Sequence, residues 1–123
     1  MSIIKAEEVL LCGLKKYGEM ALAGKDAEGL LKKHAVTESI SAAGVTFKHV
    51  KEAIVANGDI LEENPEEQWY ISAVYTGCMN AVRAITAVVL QEDVLFFAAY
   101  AKEGLIRQHL AQKAIDSIKE RIS

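Results

Sequence analysis

The sequence predicts an all-α fold, a compact bundle of about five helices in a single helical domain spanning residues 1–123. Three observations favour it: apolar residues recur at helical spacing near both ends of the chain, Asn64-Pro65 forms a strong helix start, and a long apolar run follows. The composition is 51% hydrophobic with one proline, which is ordinary for a globular protein. A chain of 123 residues also buries a substantial core without disulfides or metals.

The first half of the chain predicts three helices joined by connectors. The first helix ends near Gly24, and Asp26 and Thr46 have the side chains that cap the next two. The segments TESISAAG (37–44) and DILEEN (59–64) are interpreted as connectors. The apolar face of the first helix consists of Ile3, Ala6, Val9, Leu10, Leu14, Tyr17, Met20 and Ala21.

Residues 65–90 are predicted to form one long helix. Asn64 can accept a hydrogen bond from a free amide, Pro65 suits the first helical position, and Glu66 and Glu67 face the positive end of the helix dipole. At 100° per residue, the polar residues fall within about a third of the helical circle, and the rest of the circle is apolar or small. These polar residues are Gln68, Ser72, Thr76, Asn80, Arg83 and Thr86.

A second long helix over residues 93–122 is predicted to pack antiparallel to 65–90, since Leu110, Ala114, Ile118 and Ile122 recur every fourth residue. The alternative is an α+β fold with a small antiparallel sheet formed by residues 68–101. In that alternative, AITAVVL (84–90) and VLFFAAYA (94–101) are hairpin strands joined at residues 91–93. Short apolar runs fit either structure by periodicity.

The charge distribution excludes some functions. The net charge is −3, and residues 52–67 contain six acidic residues and no basic one. No stretch has the clustered Lys and Arg residues that bind a phosphate backbone, so nucleic-acid binding is not expected. Charges at Lys5, Glu7 and Glu8 interrupt any signal peptide, which predicts a cytoplasmic protein with free cysteines at Cys12 and Cys78.

Residues 69–90 have the length of a membrane span, but the energetics oppose one. Seven strongly apolar residues favour insertion by roughly 0.3 to 0.6 kcal/mol each, whereas Arg83 alone costs about 2.5 to 3.5 kcal/mol near the bilayer centre. Asn80, Ser72 and Thr76 add to the cost. We therefore expect no membrane span, and we expect the apolar helix to be buried within the protein.

We expect a second copy of the chain to cover part of this apolar helix. More apolar surface is present than one small bundle hides easily, so the sequence predicts a homodimer formed through the 65–101 region. Glu103 and Arg107 have the i, i+4 spacing of an ion pair at a subunit contact. The predicted interface residues are Trp69, Gly77, Phe96, Phe97, Tyr100, Glu103 and Arg107.

The polar stripe is the candidate ligand site. Hydroxyls, an amide and a guanidinium at Ser72, Thr76, Asn80 and Arg83 could bind a carboxylate or phosphate, although the stripe also fits the solvent edge of a buried helix.

No metal, cofactor or catalytic residue is predicted, since the three histidines lack metal-ligand spacing and neither cysteine has a base partner in sequence. The expected function is a small cytoplasmic interaction module, a homo-oligomer with a possible protein partner that serves as adaptor, chaperone or regulator without catalysis. The acidic residues 52–67 are a possible contact for that partner. The alternative is a small-molecule-binding protein or enzyme that uses the stripe.

Overall fold

A computed structural model describes residues 2–21, 26–76, 82–103 and 108–122. This part of the chain has an α+β fold with four α-helices and a five-stranded antiparallel sheet of strand order β1-β5-β4-β3-β2. The helices are α1 (Ser2–Tyr17, followed by a 3-10 turn at Gly18–Ala21), α2 (Ala27–His34), α3 (Phe47–Val55) and α4 (Leu110–Ile122). The strands are β1 (Val36–Ser41), β2 (Gly58–Asn64), β3 (Trp69–Thr76), β4 (Val82–Gln91) and β5 (Val94–Tyr100).

The all-α prediction was therefore wrong, and its error centres on residues 65–101. The predicted helix over 65–90 is replaced by β3 and β4, which pair along their lengths, and β5 follows. Because helices cover both faces of the sheet, nearly every residue of β3 and of the middle of β4 is buried. Strands buried on both faces form continuous apolar runs without the alternation that identifies a half-exposed strand.

The α+β alternative is confirmed at the hairpin between β4 and β5. Gln91 pairs with Val94, and the two residues between them, Glu92 and Asp93, have positive φ angles of 49° and 65°. Two central residues with positive φ form the turn that suits the twist of a two-residue hairpin. Here the acidic pair that separates the two apolar runs is the turn itself.

The side-chain hydrogen bond predicted at Asn64 is present, but it stabilises a turn and not the start of a helix. The Asn64 side chain accepts a hydrogen bond from the Glu67 amide at 2.9 Å, as a helix cap would. The chain then reverses at Gln68, whose φ is 60°, and enters β3. An Asx turn and a helix N-cap use the same bond, so the local chemistry alone does not separate them.

Among the remaining local predictions, helices and connectors had different outcomes. The N-terminal helix and the Asp26 and Thr46 caps are confirmed. Of the helix predicted over 93–122, the part at Leu110–Ile122 is confirmed, whereas Val94–Tyr100 forms β5. The two predicted connectors were wrong, since TESISAAG contains most of β1 and DILEEN most of β2. Both are edge strands, with fewer apolar residues than the strands between them.

The sheet separates two hydrophobic cores. α1 and α2 cover one face, and α3 and α4 cover the other. α1 lies close to the sheet at Gly13, where a Cβ atom would come within 2.9 Å of Ile71 Cγ2. Fully buried residues of the α3/α4 core include Val50, Ile54, Tyr70, Val88, Phe97 and Ile115, and those of the α1/α2 core include Leu10, Ile71, Ile85 and Val89. No described helix is long and apolar enough to cross a membrane.

Candidate functional site

The sheet divides the predicted polar stripe between its two faces. Ser72 and Thr86 lie opposite each other on β3 and β4, on the face covered by α3 and α4. Both are fully buried; the Ser72 hydroxyl donates to the Thr86 carbonyl at 3.3 Å, and the Thr86 hydroxyl has no partner among the described residues. Thr76 is on the same face and is also buried.

Arg83 lies on the opposite face, near the end of the sheet. Its Nη2 atom is 2.7 Å from Asp59 Oδ2, and its guanidinium lies 5.0 Å from the centre of the Tyr75 ring. The Tyr75 hydroxyl also donates to Asp59, at 3.1 Å. Asn80 is outside the described residues. The structure therefore brings Arg83 to Asp59 and Tyr75, not to Ser72 and Thr76.

Most of the predicted interface residues pack inside this one chain. Trp69 and Tyr100 belong to the α1/α2 core, and Phe97 belongs to the α3/α4 core. Phe96 is half-buried against the α1/α2 core. β3, β4 and β5 are the three inner strands of the sheet, and helices of the same chain cover both of their faces. Gly77 and Arg107 lie outside the described residues.

Glu103 caps a helix, and its predicted ion pair with Arg107 lies outside the described residues. Its carboxylate accepts hydrogen bonds from the backbone amides of Gln108, His109 and Leu110, at 2.7, 3.2 and 2.7 Å. Burial alone would raise the pKa of the Glu103 carboxyl, but the three amide bonds outweigh burial and hold that pKa below its usual value. Glu103 thus caps the N-terminus of α4, where a negative charge is most stable.

The β1 edge of the sheet exposes unpaired backbone groups. The Ala42 amide donates to the Asp93 carbonyl at 2.7 Å, directed at β5. Since alternate residues of an antiparallel strand direct their N–H and C=O groups to the same side, those of Thr37, Ser39 and Ser41 point away from the sheet. These three side chains are exposed, and the β1 register has no bulge.

The β2 edge is obstructed. A β-bulge at Leu61 interrupts the register between Ile60 and Glu62, and bulges twist an edge away from a new partner. Four of the six acidic residues between positions 52 and 67 form ion pairs within the chain, and three of these lie on β2. The β2 pairs are Asp59–Arg83 at 2.7 Å, Glu62–Lys16 at 3.1 Å and Glu63–Lys51 at 2.9 Å.

A pocket of about 240 Å³ lies at the end of the sheet where β1 begins and β5 ends. α2 contributes Leu30 and His34, β5 contributes Tyr100, and the start of α4 contributes Ala111 and Gln112. The remaining lining residues are Val36, Ala101, Lys102, Glu103 and His109. Among the residues described, no cluster of three or more His, Cys, Asp or Glu side chains has the arrangement of a metal site.

The sequence analysis predicted neither the β1 edge strand nor the pocket at its start. The alternation in VTESIS at 36–41 is the period-2 signal of an edge strand and would have located β1. No sequence signal brings His34, Tyr100 and His109 together, because they come from three separate elements. Comparisons of the chain with protein-family models, with curated proteins and with solved structures found no significant match.

Proposed function

We propose that this chain is a small, non-catalytic interaction module of the cytoplasm that forms a homodimer by pairing β1 with β1 of a second copy. The observation that carries this proposal is the contrast between an exposed, unbulged β1 edge and an obstructed β2 edge. An exposed strand edge is a ready template for another strand, and proteins that stay monomeric usually block it. The β2 edge has such blocking features, whereas β1 has one charged residue.

That charge is turned away from a new strand. Glu38 accepts a hydrogen bond from Gln112 on α4 at 2.7 Å and is ion-paired with Lys119. Bonds to Lys119 and to Gln112 hold the pKa of the Glu38 carboxyl below its usual value, so the carboxylate is already satisfied within its own chain. The outward-directed residues Thr37, Ser39 and Ser41 are uncharged.

The sequence of β1 favours one register of self-pairing. A two-fold axis through Ser39 places it opposite the partner's Ser39 and places Thr37 opposite the partner's Ser41. All three outward residues then exchange backbone bonds, about six between the two chains. An axis through Glu38 would set two carboxylates face to face, which is destabilising, and an axis through Ile40 would form only about four bonds.

The side chains in this register are compatible. Thr and Ser residues oppose each other on the face of β1 that neither α3 nor α4 covers, and such cross-strand pairs are favourable. The two five-stranded sheets would continue into one sheet across the interface. A dimer built in this way leaves both hydrophobic cores unchanged, because it uses only the edge.

Substitution of Ser39 tests the proposal. Ser39→Pro removes an amide that has no acceptor in the described part of its own chain, so the monomer should fold while the dimer loses at least two hydrogen bonds. At about 0.5 to 1.5 kcal/mol per bond, the dimer should dissociate roughly 5- to 150-fold more readily. Ser39→Asp places two carboxylates opposite each other and should weaken the dimer without changing the backbone.

Sedimentation equilibrium over a range of protein concentrations measures the effect, and circular dichroism checks the fold. Ser39→Ala is the matched control, since it retains the amide and should dimerise like the wild type. Val55→Asp probes a different surface, because the Val55 side chain on α3 is exposed. A wild type that stays monomeric at all concentrations contradicts the proposal, as does a dimer that resists both Ser39→Pro and Ser39→Asp but dissociates with Val55→Asp.

A further inference from the structure

The pocket at the start of β1 is lined by a largely buried tyrosine whose hydroxyl has no hydrogen-bond partner among the described residues. Tyr100 is only 5% exposed and lines the pocket. No described residue forms a hydrogen bond with its hydroxyl, whereas the hydroxyl of Tyr70, the other deeply buried tyrosine, bonds to the Phe47 carbonyl at 2.7 Å. The Tyr100 hydroxyl is therefore available to bond with a molecule in the pocket.

Three other side chains that line the pocket can donate hydrogen bonds. His34 ends α2, His109 precedes α4, and Lys102 follows β5 at the rim. The one acidic lining residue, Glu103, is already occupied by three backbone amides. The Gln112 side-chain amide donates to Glu38 and Asp116, outside the pocket lining. The unoccupied polar groups thus favour an anion.

The size of the pocket limits what it holds. At roughly 30 Å³ per water molecule in the liquid, its volume corresponds to about eight waters. That space accommodates a molecule of similar heavy-atom count. Leu30, Val36 and Ala111 supply apolar walls beside the donors.

We propose that this pocket binds a small organic acid, with its carboxylate or phosphate group against the Tyr100 hydroxyl and the imidazoles of His34 and His109. The inference goes beyond the proposed dimer and does not rest on it, since the lining residues all belong to one chain. The two imidazoles and the hydroxyl come from three elements that only the tertiary structure brings together. A compact oxyanion is the ligand class that satisfies all three at once.

Titration of the ¹⁵N-labelled full chain with acetate and with inorganic phosphate tests the pocket, and acetamide serves as the neutral counterpart of acetate. Binding should be saturable and should move the amide resonances of residues 34–36, 100–103 and 109–112. Tyr100→Phe removes only the hydroxyl and should weaken binding about 3- to 10-fold, the usual effect of one hydrogen bond. The double substitution His34→Gln with His109→Gln should weaken it further.

His49→Gln is the matched control, because His49 is on α3 and does not line the pocket. It should bind both anions like the wild type. Three results would overturn the inference: no saturable binding of either anion up to about 50 mM, equal affinity in the wild type and in both pocket variants, or equal affinity for acetamide and acetate. A difference between acetate and phosphate identifies the head group that the pocket prefers.

Discussion

The two edges of the sheet use their charged residues in opposite ways. On β2, three carboxylates are tied to cations from α1, α3 and β4, and the bulge at Leu61 disturbs the ladder. On β1, the single carboxylate is tied to α4, and hydroxyl side chains accompany the free backbone groups. The comparison shows that exposure alone does not make a strand edge available; the register and the charges beside it decide whether a second strand can approach.

Deleting Leu61 should have the largest effect on the difference between the β1 and β2 edges. Without the extra residue, Ile60 and Glu62 become neighbours in a regular ladder with Ser72 and Ile71, and β2 becomes a second straight edge. A chain with two usable edges should assemble beyond the dimer, since each copy can then pair on both sides. Light scattering should show particles heavier than a dimer.

Leu61→Ala is the control for this deletion, because it shortens the side chain and retains the bulge. It should keep the wild-type mass. If the deletion variant folds and keeps the wild-type mass as well, the bulge is not what blocks β2, and the charges alone must account for the difference between the edges.

Tyr70→Phe should have the next largest effect, on the attachment of α3 beside β2. The Tyr70 ring stacks on Phe47 with centroids 4.2 Å apart, and its hydroxyl donates to the Phe47 carbonyl at 2.7 Å. Loss of this bond should lower the free energy of unfolding by about 0.5 to 1.5 kcal/mol. Urea denaturation measures it, and Tyr75→Phe, which alters an exposed tyrosine, should cost less.

The pH dependence of the same variant provides a second measurement. Burial, assisted by the Glu63 charge, raises the pKa of Tyr70 from 10.0 to about 12. The neutral phenol therefore contributes its full stability below pH 10, and that contribution is lost as the pH rises through the folded-state pKa. The wild type should lose stability over this alkaline interval by an amount that Tyr70→Phe does not lose.

The smallest expected effect is a difference in coupling energy between an ion pair on β1 and one on β2. The Glu38 and Lys119 side chains are 26% and 28% exposed, whereas Glu62 and Lys16 are 30% and 53% exposed. Double-mutant cycles with Glu→Gln and Lys→Met should give a coupling of about 0.5 to 1 kcal/mol for Glu38–Lys119 and a smaller one for Glu62–Lys16. Equal couplings would show that the pair on β1 is no better shielded from water.

Acid should abolish the Glu38–Lys119 coupling. The bond from Lys119, followed by the bond from Gln112, lowers the pKa of Glu38, so its contribution is present above the ordinary pKa of an unfolded glutamate. It is lost as the pH falls through the lower folded-state value. Repeating the cycle at decreasing pH measures this loss, and a coupling that persists in strong acid would contradict the assignment.

The helices were largely predictable from local sequence, and the sheet was not. Asp26 and Thr46 cap helices as their positions indicate, since a cap needs only an amide two or three residues away. The helix prediction for residues 65–101 failed because the strands described in this region are buried by α1 on one face and by α4 on the other. A strand covered twice loses its alternation, and the spacing of Ser72, Thr76 and Arg83 then matched a helix by coincidence.

The sequence by itself determined the capped helices and the energetic case against a membrane span, because each depends on a few neighbouring residues or on composition. Only the tertiary structure decided which strands became edges, which carboxylates were neutralised and which side chains surround Tyr100. Those features depend on contacts between residues far apart in the chain, such as Glu38 with Lys119 and Lys16 with Glu62. A sequence pattern within one segment does not identify such distant partners.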